Sequence, residues 1–419
     1  MNTRTPSTNP RPEGSLGEVS RVLVCPSCGK VFPNDSLRLH CESCGEPLDT
    51  PVINDGVIKY GESPGQCALD RYAGFFPFLN LDDDPRLGEG MTPLIRDETL
   101  AAETGVAALY LKNETVNPTW SFKDRGTVTG VIHAKNLGFD KIGVVSTGNM
   151  AVSVAAYGSR AGMKTLVLVS SAMPAEKVNP IAIYGPCLVK VEGDYSKMYD
   201  LSLEIGKKLG IAFINSDATM RVAGYKTMAY EICEQCGFEV PDYVIVPTSA
   251  GGQIRGIFNG FLDFYSCAYI DRLPIMIAAQ AEGCAPVAAA FEKGEKKISR
   301  FENPKTIAHA IENPFPPSGN EVLRLLRLYG GFTATGTDDE ILAAQRRLGA
   351  SGLFVQPASA LTVAVVRKLV DAGKIRPNAK VVCILSGSGL KYTAALDMHE
   401  LPAHNCRLEE AADFIPEVF

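Results

Sequence analysis

The chain has no long apolar run. Its longest, such as Ile142–Val145 and Leu166–Val169, fall far short of the roughly 20 residues that cross a bilayer. No membrane role is therefore expected, and a cytoplasmic setting is. Met1–Ser20 is polar and rich in Pro, Ser, Thr and Asn, without the apolar core of a signal peptide. Residues 1–20 are expected to form a disordered tail. A basic excess is also missing: 41 Lys and Arg stand against 47 Asp and Glu, a net charge of -6. A general nucleic-acid binder needs a positive surface, so no nucleic-acid partner is expected. There is no internal repeat, no Walker pattern and no Gly-x-Gly-x-x-Gly. With 46% hydrophobic and 21% charged residues over 419 positions, collagen, coiled coil and wholesale disorder are excluded.

Twelve cysteines are present, yet the length and the absent secretory signal point to a reducing compartment. Four of them form Cys25-x-x-Cys28 and, twelve residues on, Cys41-x-x-Cys44, each pair followed by Gly (Gly29, Gly45). Two such knuckles turn four thiolates toward one point, a spacing that predicts a closed, structural Zn²⁺ ribbon over residues 21–50. The alternative is four free or redox-active thiols. Cys233-Glu-Gln-Cys236 is isolated, falls on an expected helix and is read as incidental.

From Ala108 onward, short β-branched runs alternate with amphipathic stretches: Ile142–Ser146, Thr165–Val169, Tyr243–Val246, Pro274–Ala278 and Val381–Leu385. This alternation predicts an α/β fold with parallel sheet and helices on both faces. Ligands in such folds bind at the carboxyl ends of strands, and three turns there are unusual. Pro247-Thr-Ser-Ala-Gly-Gly-Gln253 enters a helix, so the N–H groups of Ser249, Ala250, Gly251, Gly252 and Gln253 suit a single phosphate. Ser146-Thr-Gly-Asn149 offers hydroxyls and an amide for a carboxylate or a ring oxygen. Ser386-Gly-Ser-Gly389 ends the last strand. A fourth segment, Asn117–Gly126, sets Lys123 beside Phe122. Desolvation there would lower the amine's pKa and make it a nucleophile toward an aldehyde. Alone, Lys123 reads as a surface lysine; with the three turns, it points to pyridoxal 5'-phosphate.

On these residues the chain resembles the fold type II pyridoxal-phosphate enzymes, and within them the threonine-synthase family. Leu87-Gly-Glu-Gly-Met-Thr-Pro-Leu94, Pro118-Thr-Trp-Ser-Phe-Lys-Asp-Arg-Gly126, Ser146–Ser153, Gln356-Pro-Ala-Ser359 and Leu385–Lys391 are similar to that family's motifs, in order. The resemblance spans about residues 25–395. Trp120 stands where the family has a small Gly, and Ala218 where it has Asn.

The resemblance implies two lobes: a large one (51–126 and 223–419) and a small mobile one (127–222). It implies that Lys123 holds the cofactor and moves protons. Asn149 would meet the ring hydroxyl, Ser249–Gln253 the phosphate, and Ser386 the ring nitrogen. Ser146 and Thr147 would bind the substrate carboxylate, and Arg160 its phosphate. The implied reaction turns O-phospho-L-homoserine and water into L-threonine and phosphate, in a homodimer. The alternatives are a β-replacement on O-phosphoserine, similar to a cysteate synthase, and a Ser/Thr dehydratase. A binding protein with an inert body is opposed by the retained lysine and turns.

Overall fold

The computed structural model describes residues 21–60, 66–82, 85–146, 148–192, 197–401, 403–408 and 415. The tail expected over residues 1–20 lies outside them, as does Thr147. Strands β1 (Val22–Val24) and β2 (Val31–Pro33) pair antiparallel and open the chain. Ten more follow: β3 (Leu94–Arg96), β4 (Ala108–Asn113), β5 (Lys141–Val145), β6 (Lys164–Ser170), β7 (Cys187–Val191), β8 (Ala212–Phe213), β9 (Tyr243–Pro247), β10 (Ile275–Ala281), β11 (Phe332–Gly336) and β12 (Lys380–Leu385).

They form two sheets. The larger runs β11-β10-β9-β12-β4-β3, parallel throughout except for the edge strand β3. The smaller, β7-β6-β5-β8, is wholly parallel and is drawn from the chain between positions 141 and 213. This is the α/β architecture of fold type II, preceded by a cysteine ribbon.

The centre of the larger sheet is buried on both faces because β9 and β12 are apolar at nearly every position, and the period of two divides their side chains between two cores. Val382 and Ile384 of β12 join Val244 and Val246 of β9 in one core. Val381, Cys383 and Leu385 join Tyr243 and Ile245 in the other. Each fully buried side chain of this size contributes about 1.5–3 kcal/mol. Local signals fix the helix ends. Asp97 accepts the Leu100 N–H at 2.8 Å to start helix Glu98–Thr104, and Gly105 ends it at φ 79°. Thr337 and Glu340 form a reciprocal capping box at the start of Asp338–Ala350.

The first core also contains the connector after the ribbon. Phe75 lies 4.8 Å from Tyr230 and 5.2 Å from Phe264, centroid to centroid, so an aromatic cluster fastens that connector to helices Lys226–Gln235 and Gly252–Ser266. No helix among the described residues is long and apolar enough to cross a membrane.

Candidate active site

The strand ends converge. The turns after β4, β5, β9 and β12 open into one cavity of about 970 Å³. Lys123, Phe122, Ser146, Asn149, Ser386 and every residue from Ser249 to Gln253 line it. All the residues expected to meet a cofactor therefore share one space.

Lys123 begins helix Lys123–Asn136. Its Nζ sits 4.3 Å from the centroid of the Phe122 ring. Burial, and secondarily the charge of Arg221, push its pKa down to about 7. An ordinary lysine is almost wholly protonated at neutral pH; this one is about half free amine.

The turn after β9 is shaped by glycine. Gly251 has φ 91°, a left-handed value, and a Cβ there would lie 2.9 Å from Ser318 Cβ and Val322 Cγ2. A Cβ on Gly252 would lie 2.9 Å from the Ser216 carbonyl oxygen. Only glycine fits at these two positions, and the turn lines the cavity at the start of helix Gly252–Ser266, where the first-turn N–H groups and the helix dipole favour an anion.

Ser386 is buried. Its Oγ lies 3.1 Å from Ser359 Oγ, and its carbonyl accepts the Phe122 N–H at 3.0 Å. Ser359 in turn accepts the Gly387 N–H at 3.0 Å. The Asn149 amide donates to Gln356 Oε1 at 2.9 Å, joining the turn after β5 of the smaller sheet to the helix that precedes β12 of the larger one. Gln356 caps helix Pro357–Asp371 and Ser359 lies in its first turn, and the sequence motifs alone assign neither a role. Their signal was the Gln-Pro-Ala-Ser start itself, with proline at the first helical position.

Three more groups went unrecognised. Lys391 lines the cavity and donates to the Thr119 carbonyl at 2.5 Å; burial pushes its pKa down to about 8, against the pull of Asp124. Asp124 is fully buried and accepts from Thr119 N, Thr119 Oγ1 and Ser153 Oγ, each at 2.6 Å. Arg221, also fully buried, donates to Thr127 Oγ1 at 3.0 Å, and Thr127 Oγ1 lies 2.6 Å from Ser153 Oγ. Two hydroxyls thus connect the guanidinium to the Asp124 carboxylate behind Lys123.

Arg160 is the residue that the fold does not bring in. It is the exposed last residue of helix Asn149–Arg160, whose first residue faces the cavity. Eleven steps of 1.5 Å put it about 16 Å away along the axis. A contact between Arg160 and a ligand in this cavity is therefore corrected. Trp120 lines the cavity at φ 63°, a backbone region that glycine enters freely and a bulky side chain does not.

The ribbon brings its four sulfurs together, all within 4.8 Å of one another. Cys25 and Cys44 Sγ are 3.5 Å apart, Cys28 and Cys41 Sγ 3.6 Å. Tetrahedral Zn–S bonds of about 2.3 Å require S···S edges of about 3.8 Å, so the set fits zinc. Gly29 and Gly45, both at φ 75°, close the knuckles onto the Cys25 and Cys41 carbonyls.

The family model for pyridoxal-phosphate dependent enzymes matches residues 85–387. The chain belongs to that family. It is 39% identical over 373 residues to the threonine synthase of Methanocaldococcus jannaschii, covering 88% of this chain and 92% of that protein. The threonine synthase of Methanosarcina acetivorans is 36% identical over 374 residues, with the same coverage. Among solved structures, maize serine racemase matches with TM-score 0.63 at 21% identity, over 73% of this chain and 91% of that one. An L-serine ammonia-lyase from Rhizomucor miehei also gives 0.63, at 19% identity, over 74% and 97%. The two solved structures support the fold alone. The two threonine synthases match this chain above 30% identity over most of both chains, which sets the chain beside them within the family.

Proposed function

We propose that this chain converts O-phospho-L-homoserine and water to L-threonine and phosphate, as a pyridoxal-phosphate-dependent carbon–oxygen lyase. One observation carries the reading. A chain that matches a threonine synthase along 92% of that protein's length also has a half-neutral lysine in one cavity with an anion-ready helix start.

The residues present fit the cofactor. The turn Ser249–Gln253 would hold its phosphate, Asn149 and Gln356 its ring oxygen, and Ser386, steadied by Ser359, its ring nitrogen. When bound, pyridoxal phosphate supplies an electron sink for the charge left at a substrate carbon that loses a proton. A neutral hydroxyl at the ring nitrogen leaves that sink weaker than a carboxylate partner would, which suits elimination and replacement.

Lys123 Nζ takes the proton from Cα and returns one later, because its pKa lies near working pH. Ser146, with Thr147, meets the substrate carboxylate. Lys177, Lys391 and Ser216 also line the cavity, and their amines and hydroxyl would meet the substrate phosphate in place of Arg160. The segment 127–222 acts as the smaller, mobile lobe that excludes water. The four thiolates of Cys25, Cys28, Cys41 and Cys44 hold Zn²⁺ with no open position, so the metal is structural. The enzyme works as a cytoplasmic homodimer.

A shorter substrate, O-phosphoserine, is favoured by one feature: the Trp120 indole occupies a wall where the family has no side chain. Phosphate release and product identity across a panel of O-phospho amino acids tests both readings. Threonine formed from O-phosphohomoserine, with no release from O-phosphoserine, is expected. The reverse pattern would replace the first substrate by the second, and ammonia release from threonine would point to a dehydratase.

A further inference from the structure

The ribbon is not a detached appendage; it touches both walls of the proposed phosphate site. Its last residues close a ladder, with Val24 and Asp49 exchanging both backbone hydrogen bonds at 2.8 and 2.9 Å. From there the Asp49 carboxylate accepts from Arg255 at 2.7 Å, and the Leu48 carbonyl accepts from the same nitrogen at 3.2 Å. Arg255 is fully buried, three residues past the start of helix Gly252–Ser266. Its other terminal nitrogen donates to Ser318 Oγ at 2.7 Å. Ser318 donates its backbone N–H to the Ala250 carbonyl at 3.1 Å and leaves Gly251 no room for a side chain. A chain of contacts through the buried Asp49, Arg255 and Ser318 thus runs from the ribbon to the turn.

A second link reaches the opposite wall. His40, adjacent to Cys41, lies 2.9 Å from the Asp217 carboxylate, which also accepts from Tyr199 at 2.5 Å. Asp217 follows Ser216, a cavity residue whose carbonyl abuts Gly252. Thr219 Oγ1 donates to the Arg38 carbonyl at 3.4 Å.

We propose that the four-cysteine ribbon is a brace for the phosphate-holding turn, with Asp49 and Arg255 as positioning residues, so that metal in the ribbon sets how tightly the turn grips a phosphate monoester. Buried ion pairs are poor sources of net stability but hold their partners in register, and loss of one partner is felt by the other. Without metal, the knuckles lose the bonds that define their shape. Asp49 then no longer fixes Arg255, and the turn's N–H groups lose their common aim. The proposal rests on the reading that Ser249–Gln253 holds the cofactor phosphate and that the cage takes zinc.

Two ligands separate the grip on phosphate from everything else: pyridoxal phosphate and pyridoxal, which lacks the phosphate. The chain has one tryptophan, Trp120, on the cavity wall, so quenching of its fluorescence reports binding of either. Full-length protein is compared as purified, after zinc removal verified by metal analysis, and as Asp49→Asn, which keeps the side-chain shape and an acceptor oxygen. Both perturbations should weaken pyridoxal phosphate about tenfold and leave pyridoxal within about twofold. Equal losses for both ligands would mean general loosening and overturn the brace, as would a preference for phosphate that survives both perturbations. If the unmodified protein binds pyridoxal as tightly as its phosphate, the assignment of the turn itself fails, and the brace with it. If the purified protein holds no metal in the ribbon and still prefers pyridoxal phosphate to pyridoxal, metal does not set the grip and the proposal is overturned.

Discussion

The depressed pKa of Lys123 makes a prediction about rate. Only the free amine attacks an aldehyde, so capture of pyridoxal phosphate by protein stripped of it should follow the neutral fraction of this side chain. With a pKa near 7, set by burial and by the Arg221 charge, that fraction is about one tenth at pH 6, half at pH 7 and nine tenths at pH 8. An ordinary lysine would be about one part in three thousand neutral at pH 7. The initial rate of Trp120 quenching should therefore rise about tenfold from pH 6 to pH 8 and then level off. Lys391, whose pKa is held near 8, is the group that could mimic this curve, so Lys391→Met should keep the midpoint near 7. Lys123→Ala should abolish the capture phase. Stability must carry the same sign. The folded amine binds fewer protons than the unfolded one between about pH 7 and 10.5, so stripped protein should gain stability as pH rises through that window, and the deficit should be complete below 7. A capture rate that climbs tenfold per unit through pH 9 would put the amine's pKa near that of bulk lysine and refute its desolvation.

Three substitutions test the walls of the site. Gly251→Ala forces a Cβ against Ser318 and Val322 at φ 91°; a loss of about 1–3 kcal/mol in chemical unfolding is expected, with pyridoxal phosphate bound at least tenfold more weakly. Ser359→Ala strips a partner from the buried Gly387 N–H and from Ser386, and should cost about 1–3 kcal/mol, checked by the denaturant midpoint. Trp120→Gly removes a left-handed tryptophan and should stabilise by about 1 kcal/mol, while release of phosphate from longer substrates rises relative to O-phosphoserine. An unchanged substrate ratio would remove Trp120 from any part in selectivity.

Legibility followed the range of the forces involved. The strands and their turns are local: β-branched runs, glycine where φ turns positive, and small residues at a helix start can all be read along the chain. So can the cage, because its four ligands sit in two tight knuckles. What stayed hidden depends on distant segments meeting. Nothing near position 49 announces Arg255, and nothing near Asn149 announces Gln356. The buried chain from Arg221 through Thr127 and Ser153 to Asp124 joins three helices, and only their mutual approach creates it.

Arginine illustrates the difference best. A guanidinium is a good partner for phosphate wherever the two meet, so residue type alone made Arg160 a candidate and gave no sign that Arg221 is the arginine near the site. Position on the helix decides it. Asn149 faces the cavity because it begins its helix, and the same fact carries Arg160 to the far, exposed end. Arg221 lies in helix Thr219–Gly224, which begins three residues after the cavity residue Ser216, and this helix packs against the one that Lys123 begins. Buried there, its charge acts on the Lys123 amine without touching solvent. Neutralising it by Arg221→Leu should therefore move the capture midpoint upward from pH 7, whereas Arg160→Leu should leave it in place. A midpoint that ignores both substitutions would mean that burial alone sets the amine's pKa.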